Sequence, residues 1–222
     1  MSFYDLLVKE TESDRTRLLH APLITRALDG TLTREEYLAF LGQAYHHVKH
    51  TVPLLMATGA RLPDTREWLR RAVAEYIEEE LGHEEWILND IAACGGDREA
   101  ARQSRPAPET ELMVAYAYDT VNRVDPLGFF GMVFVLEGTS VRVASRAAER
   151  IRVSLQLPES AFSYLNSHGA LDLEHMDFFE QLMNRVDDPG EQARIIHCAR
   201  MFYRLYGDIF RDLTRNPLAA AS

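Results

Sequence analysis

Residues 20–50 read HAPLITRALDGTLTREEYLAFLGQAYHHVKH, and their punctuation is helical throughout. Pro22 suits a first helical turn, and a short helix from Pro22 to Leu28 ends at the turn Asp29-Gly30. Thr33 and Glu36 then form a capping box, each side chain satisfying the other residue's backbone N–H. That box opens a long helix toward Ala60. The same signals recur on both sides. Upstream, a helix covers Phe3 to about Leu19. Downstream, Asp64 and Glu67 repeat the box and open a helix to Cys94, stopped by Gly95-Gly96. RQSRPAPE (102–109) reads as a loop, and a helix follows from Thr110 to Arg123. Asp125-Pro126 starts another that continues to about Leu155. Pro158 opens the next, and Asp188-Pro189 opens a last one ending near Arg215, with NPLAAAS as a frayed tail. No strand pair, internal repeat or dividing linker interrupts this pattern. The expectation is an all-α multi-helix bundle in a single domain spanning 1–222.

The composition suits that expectation. Hydrophobic residues make up 46% of the 222 and charged residues 26%, enough to bury a core without staples. A net charge of −10 argues against a nucleic-acid surface. Of the 24 basic residues only Lys9 and Lys49 are lysine. Cys94 and Cys198 offer neither a disulfide framework nor a thiolate metal site, which fits a reducing cytoplasm. The start MSFYDLLVKE lacks a signal-peptide pattern, and the longest uncharged run, Pro126 to Leu136, is too short to span a bilayer. A cytoplasmic protein without membrane partners is expected.

Polar residues break the apolar stripes at three places. In HGALDLEH (168–175), His168, Asp172 and His175 stand at i, i+4 and i+7, on one helical face with Tyr164, Leu165, Phe178 and Phe179. The stripe Leu69, Val73, Tyr76, Ile87, Ile91 is filled at its centre by Glu80 and His83, three apart and able to reach one metal. LGFFGMVFVLEGTSV (127–141) holds a single ionisable group, Glu137. An ionised carboxylate there must be paired, bind a metal, or be neutralised. Any one of these residues alone reads more readily as an arginine pair or a satisfied core histidine. Jointly they form three carboxylates and three imidazoles on three helices, with no arginine or lysine between Pro158 and Asn184. Sulfur-free N/O ligands suit Fe, Mn or Zn, and six side chains exceed what one tetrahedral zinc takes. The set reads as a dinuclear, di-iron site. Glu79 can stand in for Glu80 as ligand. His46, His47 or His50 could add a contact, though packing or solvation explains them as well. A ferritin-like arrangement would want a fourth helix's carboxylate that this chain lacks.

The stretch 20–50 resembles the opening of the TenA and haem-oxygenase-like superfamily, with its His-Pro-like element, Gly-Thr-Leu turn and aromatic-rich Gln-x-Tyr segment. HGALDLEH has the His-x-x-x-Asp-x-x-His form of the haem-oxygenase-like di-iron oxidases and oxygenases. The resemblance implies Glu80, His83, Glu137, His168, Asp172 and His175 as ligands of two irons. The imidazoles would be terminal ligands and the carboxylates terminal or bridging ones. It also implies O2 as co-substrate, a homodimer, and a small organic substrate of amine, amino-acid or fatty-acid type, with the electron donor unspecified. Tyr76 and Tyr164 each lie one turn before a ligand, as second-shell phenols or as core. Other branches fit less well. Thiaminase-type relatives use an aspartate where this chain has Ala44, together with a catalytic cysteine. Haem oxygenases need a histidine inside the first helix, and His20 follows it. Quinone-forming oxidases of this fold would not need the carboxylates, and a lysine-consuming relative needs a lysine beyond Lys49. The alternatives are a TenA-like thiamine-salvage hydrolase and a non-catalytic member of the fold.

Overall fold

The computed structural model describes residues 1–215, except that the side chains of 168–174 lie outside the described set, as does the tail 216–222. Its α-helices are α1 (Phe3–Glu10), α2 (Glu12–Leu19), α3 (Pro22–Asp29), α4 (Arg34–Val48), α5 (Thr51–Arg61) and α6 (Glu67–Glu80). They continue as α7 (His83–Ala93), α8 (Arg98–Gln103), α9 (Pro108–Asp119), α10 (Phe129–Leu155), α11 (Ser163–Met183) and α12 (Pro189–Arg215). No strand occurs among the described residues.

Several stops and starts fall where the sequence puts them. The Thr33–Glu36 capping box forms, with the Glu36 N–H donating to Thr33 Oγ1 at 3.2 Å and the Thr33 N–H to Glu36 Oε2 at 2.8 Å. Gly95-Gly96 ends α7 as expected: the Gly96 N–H reaches the Ile91 carbonyl and the Gly95 N–H that of Ala92. Asp125 caps Leu127 at 2.9 Å and starts a short 3-10 turn, Pro126–Gly128, that leads into α10.

Three long helices of the sequence reading are broken instead. The first stops at Thr11, whose hydroxyl donates back to the Leu7 carbonyl at 2.7 Å and competes with the helical ladder. The second breaks at Lys49–His50, because Pro53 has no N–H to give Lys49. The third breaks at Leu81–Gly82, and the Asp64–Glu67 capping box does not form: Asp64–Arg66 is a 3-10 turn and Glu67 pairs with Arg70. Within 102–109 only 104–107 is loop, since α8 ends at Gln103 and α9 begins at Pro108. The helix expected to reach Arg123 ends at Asp119 and gives way to a π-helical turn, Thr120–Val124. Pro158 precedes a 3-10 turn, Glu159–Ala161, rather than α11 directly.

The central element is α10, which packs against α11, α12 and α3. Gly131 lets α12 approach closely, since a Cβ there would lie 2.6 Å from the Ala199 amide nitrogen. Helix α7 lies against α4 and α11, and α6 pairs with α5. Among the described residues one helical stretch, Pro126–Leu155, is long and apolar enough to cross a membrane. That stretch carries the uncharged run Pro126–Leu136 onward past Glu137. However, 61% of the apolar window is buried inside the bundle, as a core helix would be.

Candidate metal centre

Glu80 and His83 do not share one helix. Glu80 is the last residue of α6 and His83 the first of α7, with Gly82 between them at φ +89°, a left-handed conformation that favours glycine. The chain turns at this point and still brings the pair together: His83 Nδ1 lies 3.1 Å from Glu80 Oε2. His83 is 2% exposed and stacks on Trp86, ring centres 4.0 Å apart. Three acids, Glu78 to Glu80, crowd the last turn of α6, and that turn holds no basic residue of its own. That is the negative end of the helix dipole, where acids are unfavourable and a cation is favoured.

From α11 and α10 come His175 and Glu137, both buried. His175 Nδ1 lies 3.9 Å from Glu137 Oε1, and its Nε2 lies 3.0 Å from Glu79 Oε2. Glu79, the neighbour able to replace Glu80, thus faces the other imidazole, while its side chain remains 49% exposed. Both acids sit beside a histidine, each a different one. The Tyr76 ring stands edge-on to His175, centres 6.0 Å apart. Glu80 and Glu137 line one cavity with Tyr76, Tyr164 and His47, and Phe129, Met132 and Val133 add apolar wall. The centres of water-sized spheres sweep about 60 Å³ of it, room for a few waters or small groups at roughly 10–15 Å³ each. Among the described residues no three His, Cys, Asp or Glu side chains close into a metal-holding group. His168 and Asp172, two of the six expected ligands, are outside the described side chains.

The remaining histidines separate cleanly. His47 is 3% exposed, faces the cavity and meets Tyr206 edge-on. His46 faces away, Nε2 at 2.8 Å from Ser104 Oγ and Nδ1 at 3.2 Å from Lys49 Nζ. His50 contacts the Tyr118 hydroxyl at 3.1 Å. Burial, with Lys49 and His50 adding to it, pulls the His46 imidazole down to about 4 from 6.5. The unfolded chain therefore takes up this proton first. Stability present above pH 6.5 is lost as pH falls toward 4, by up to about 3 kcal/mol at 1.36 kcal/mol per unit. Urea melts at pH 7 and pH 5 should show His46→Gln losing less on acidification than the parent chain.

The sequence matches the family described as iron-containing redox enzymes over residues 38–207. The chain belongs to that family. The matched span contains every expected ligand of this iron-containing redox enzyme family member, from Glu80 to His175. A domain of unknown function with a heme oxygenase-like fold from Shewanella denitrificans is 24% identical. The alignment covers 97% of this chain and 93% of that one, with a TM-score of 0.84. A TenA homologue from Pseudomonas syringae is 16% identical over 95% and 91% of the two chains, TM-score 0.77. Heme oxygenase-1 from the cyanobacterium Synechocystis is 12% identical over 99% and 96%, TM-score 0.76. These similarities establish the haem-oxygenase-like, TenA-like fold and nothing finer. No curated protein matches the sequence significantly.

One residue of consequence in this family member escaped the sequence reading. Asp90 of α7 is wholly buried and accepts the N–H groups of Ser163 at 3.0 Å and Tyr164 at 2.9 Å, along with the Ser163 hydroxyl. It caps α11 from a neighbouring helix, because the N-cap residue Phe162 has no side chain to do so. Burial raises its carboxyl above the usual value although these donors oppose the rise. Only a lone acid on an otherwise apolar stretch of α7 could have signalled it.

Proposed function

We propose that the chain holds two iron ions through Glu80, His83, Glu137, His168, Asp172 and His175 and uses O2 to oxidise a small organic substrate. The observation that carries this reading is the meeting of carboxylate–imidazole pairs from α6, α7, α10 and α11 inside an apolar bundle. Sulfur-free donors of this kind suit iron, and the acid-crowded end of α6 calls for a cation. Ferrous ions bound there supply the electrons and the Lewis acidity for reducing O2. The protein's own part is to hold the donors and to give the cavity beside them an apolar wall of Phe129, Met132 and Val133. The thiamine-salvage alternative asks for a reactive cysteine. Both thiols are buried; burial pushes Cys94 up to about 11 and raises Cys198 as well, which disfavours the thiolate form of each.

The test is an anaerobic Fe(II) titration of metal-free protein, followed by rapid mixing with O2 and an oxygen-electrode reading. Binding of about two irons per chain, lost in the His168→Ala, His175→Ala double variant, with O2 consumed only by the loaded protein, is the expected result. Tight binding without O2 uptake would point to a non-catalytic member of the fold. Iron binding indifferent to the double variant would refute the site.

A further inference from the structure

His83 and His175 each touch an aromatic ring, and the two contacts differ. Tyr76 meets His175 edge-on, is 2% exposed and leads inward to Phe178 at 5.8 Å. Trp86 instead lies nearly parallel to His83, with ring centres 4.0 Å apart and planes at 29°, and it is only half-buried. The sequence dictates this contact, since His83 and Trp86 stand three apart in the first turn of α7, neighbours on one face. Stacked rings at this separation are in van der Waals contact, and an electron passes most readily across such a contact. Trp68, the other tryptophan, is placed differently. It lies about 18 Å along α6 from Glu80 at the helical rise of 1.5 Å per residue. The Arg185 guanidinium sits 4.1 Å from its ring, and that positive charge opposes the loss of an electron.

Reduction of O2 to two waters takes four electrons and four protons. Two ferrous ions give two of the electrons, and a substrate oxidised by one electron pair gives the others. When no substrate is bound, that second pair has to come from elsewhere. We infer that Trp86 gives one electron of that pair through the His83 ring and releases its indole N–H proton to solvent. The other electron comes from a one-electron reductant in solution, either a further ferrous ion or ascorbate. The neutral indolyl radical left behind is restored by one electron and one proton from ascorbate. This inference rests on the proposed metal centre. It gives the chain a route for discharging that centre through a ring in contact with water, rather than through the buried donors or the apolar cavity wall.

The experiment loads the full chain anaerobically with about three Fe(II) per chain, two for the site and one as the reductant in solution. It is then mixed with O2 in the absence of substrate. Freeze-quenched samples are read by electron paramagnetic resonance, and aged samples by peptide mass spectrometry. An indolyl radical signal is expected, abolished by excess ascorbate. The Trp86 peptide should gain oxygen atoms while the Trp68 peptide stays unchanged. Trp86→Phe keeps a ring against His83, so it should bind iron as the parent chain does and lose the radical signal. Should that variant not fold, Trp86→Tyr keeps an oxidisable ring and should exchange the indolyl signal for a phenoxyl one. A radical signal that neither variant alters, or oxygen gained equally at both tryptophans, overturns the inference. Full iron binding and O2 uptake with no radical in the parent chain overturns it too, and leaves the metal centre standing. Absence of iron binding removes the metal centre, and the role of Trp86 falls with it.

Discussion

Asp90→Ala should cost about 4 kcal/mol of folding stability and loosen the iron site with it. Hydrogen bonds to a charged acceptor are worth about 1.5–3 kcal/mol each, and the variant leaves two backbone N–H groups at the start of α11 without that acceptor. Because Asp90 belongs to the helix of His83 and caps the helix of His175, its loss also releases the two imidazoles from a common frame. Denaturant melts should show the drop, and Asp90→Asn, which keeps an acceptor oxygen, should recover about half. Fe(II) affinity in the alanine variant should fall even under conditions where it is fully folded. A loss below about 1 kcal/mol, within the range of an ordinary cap, would reduce Asp90 to one N-terminal contact among many.

Glu137→Ala should have the largest effect on iron. Even partners outside the ligand shell are worth about 10- to 100-fold in metal affinity, so removal of a ligand should exceed about 100-fold. Glu79→Ala provides the contrast. Its carboxylate is half-exposed although it touches His175, so a loss of about tenfold is expected. Competition titrations against a chelator of known affinity read both. Equal losses at the two positions would mean that Glu79 is itself a ligand.

The helical character and the helix ends with strong chemical signals were legible in the sequence. Thr33 with Glu36, Gly95-Gly96 and Asp125-Pro126 each act within a few residues, and tertiary contacts do not overrule them. The breaks at Thr11 and Gly82 are masked because the apolar periodicity runs through them, whereas the break at Lys49–His50 has its signal in Pro53, which the long apolar stretch around it outweighed. The stripe from Leu69 to Ile91 keeps its spacing across Gly82 even though the helix does not. Of the six expected ligands, the structure places Glu80 beside His83 and Glu137 near His175, all four buried, while the side chains of His168 and Asp172 lie outside the described set. It weighed Glu79 as an alternative to Glu80, whereas the two acids face different imidazoles across the turn of α6. It also grouped His46, His47 and His50 together, and only their packing partners single out His47 as the one facing the cavity.

The turn at Leu81–Gly82 makes the two acids and their imidazoles meet across separate struts. The strut α6 is tied at its root by Arg66 on Glu191 at 2.7 Å and by Trp68 beneath the Arg185 guanidinium at 4.1 Å, along its length by α5, and near its tip by the buried Tyr76 against His175. The imidazoles and Glu137 ride on α7, α10 and α11. The spacing of Glu80 and His83 is therefore set by how two packed helices meet at one glycine and not by the rise of a single helix.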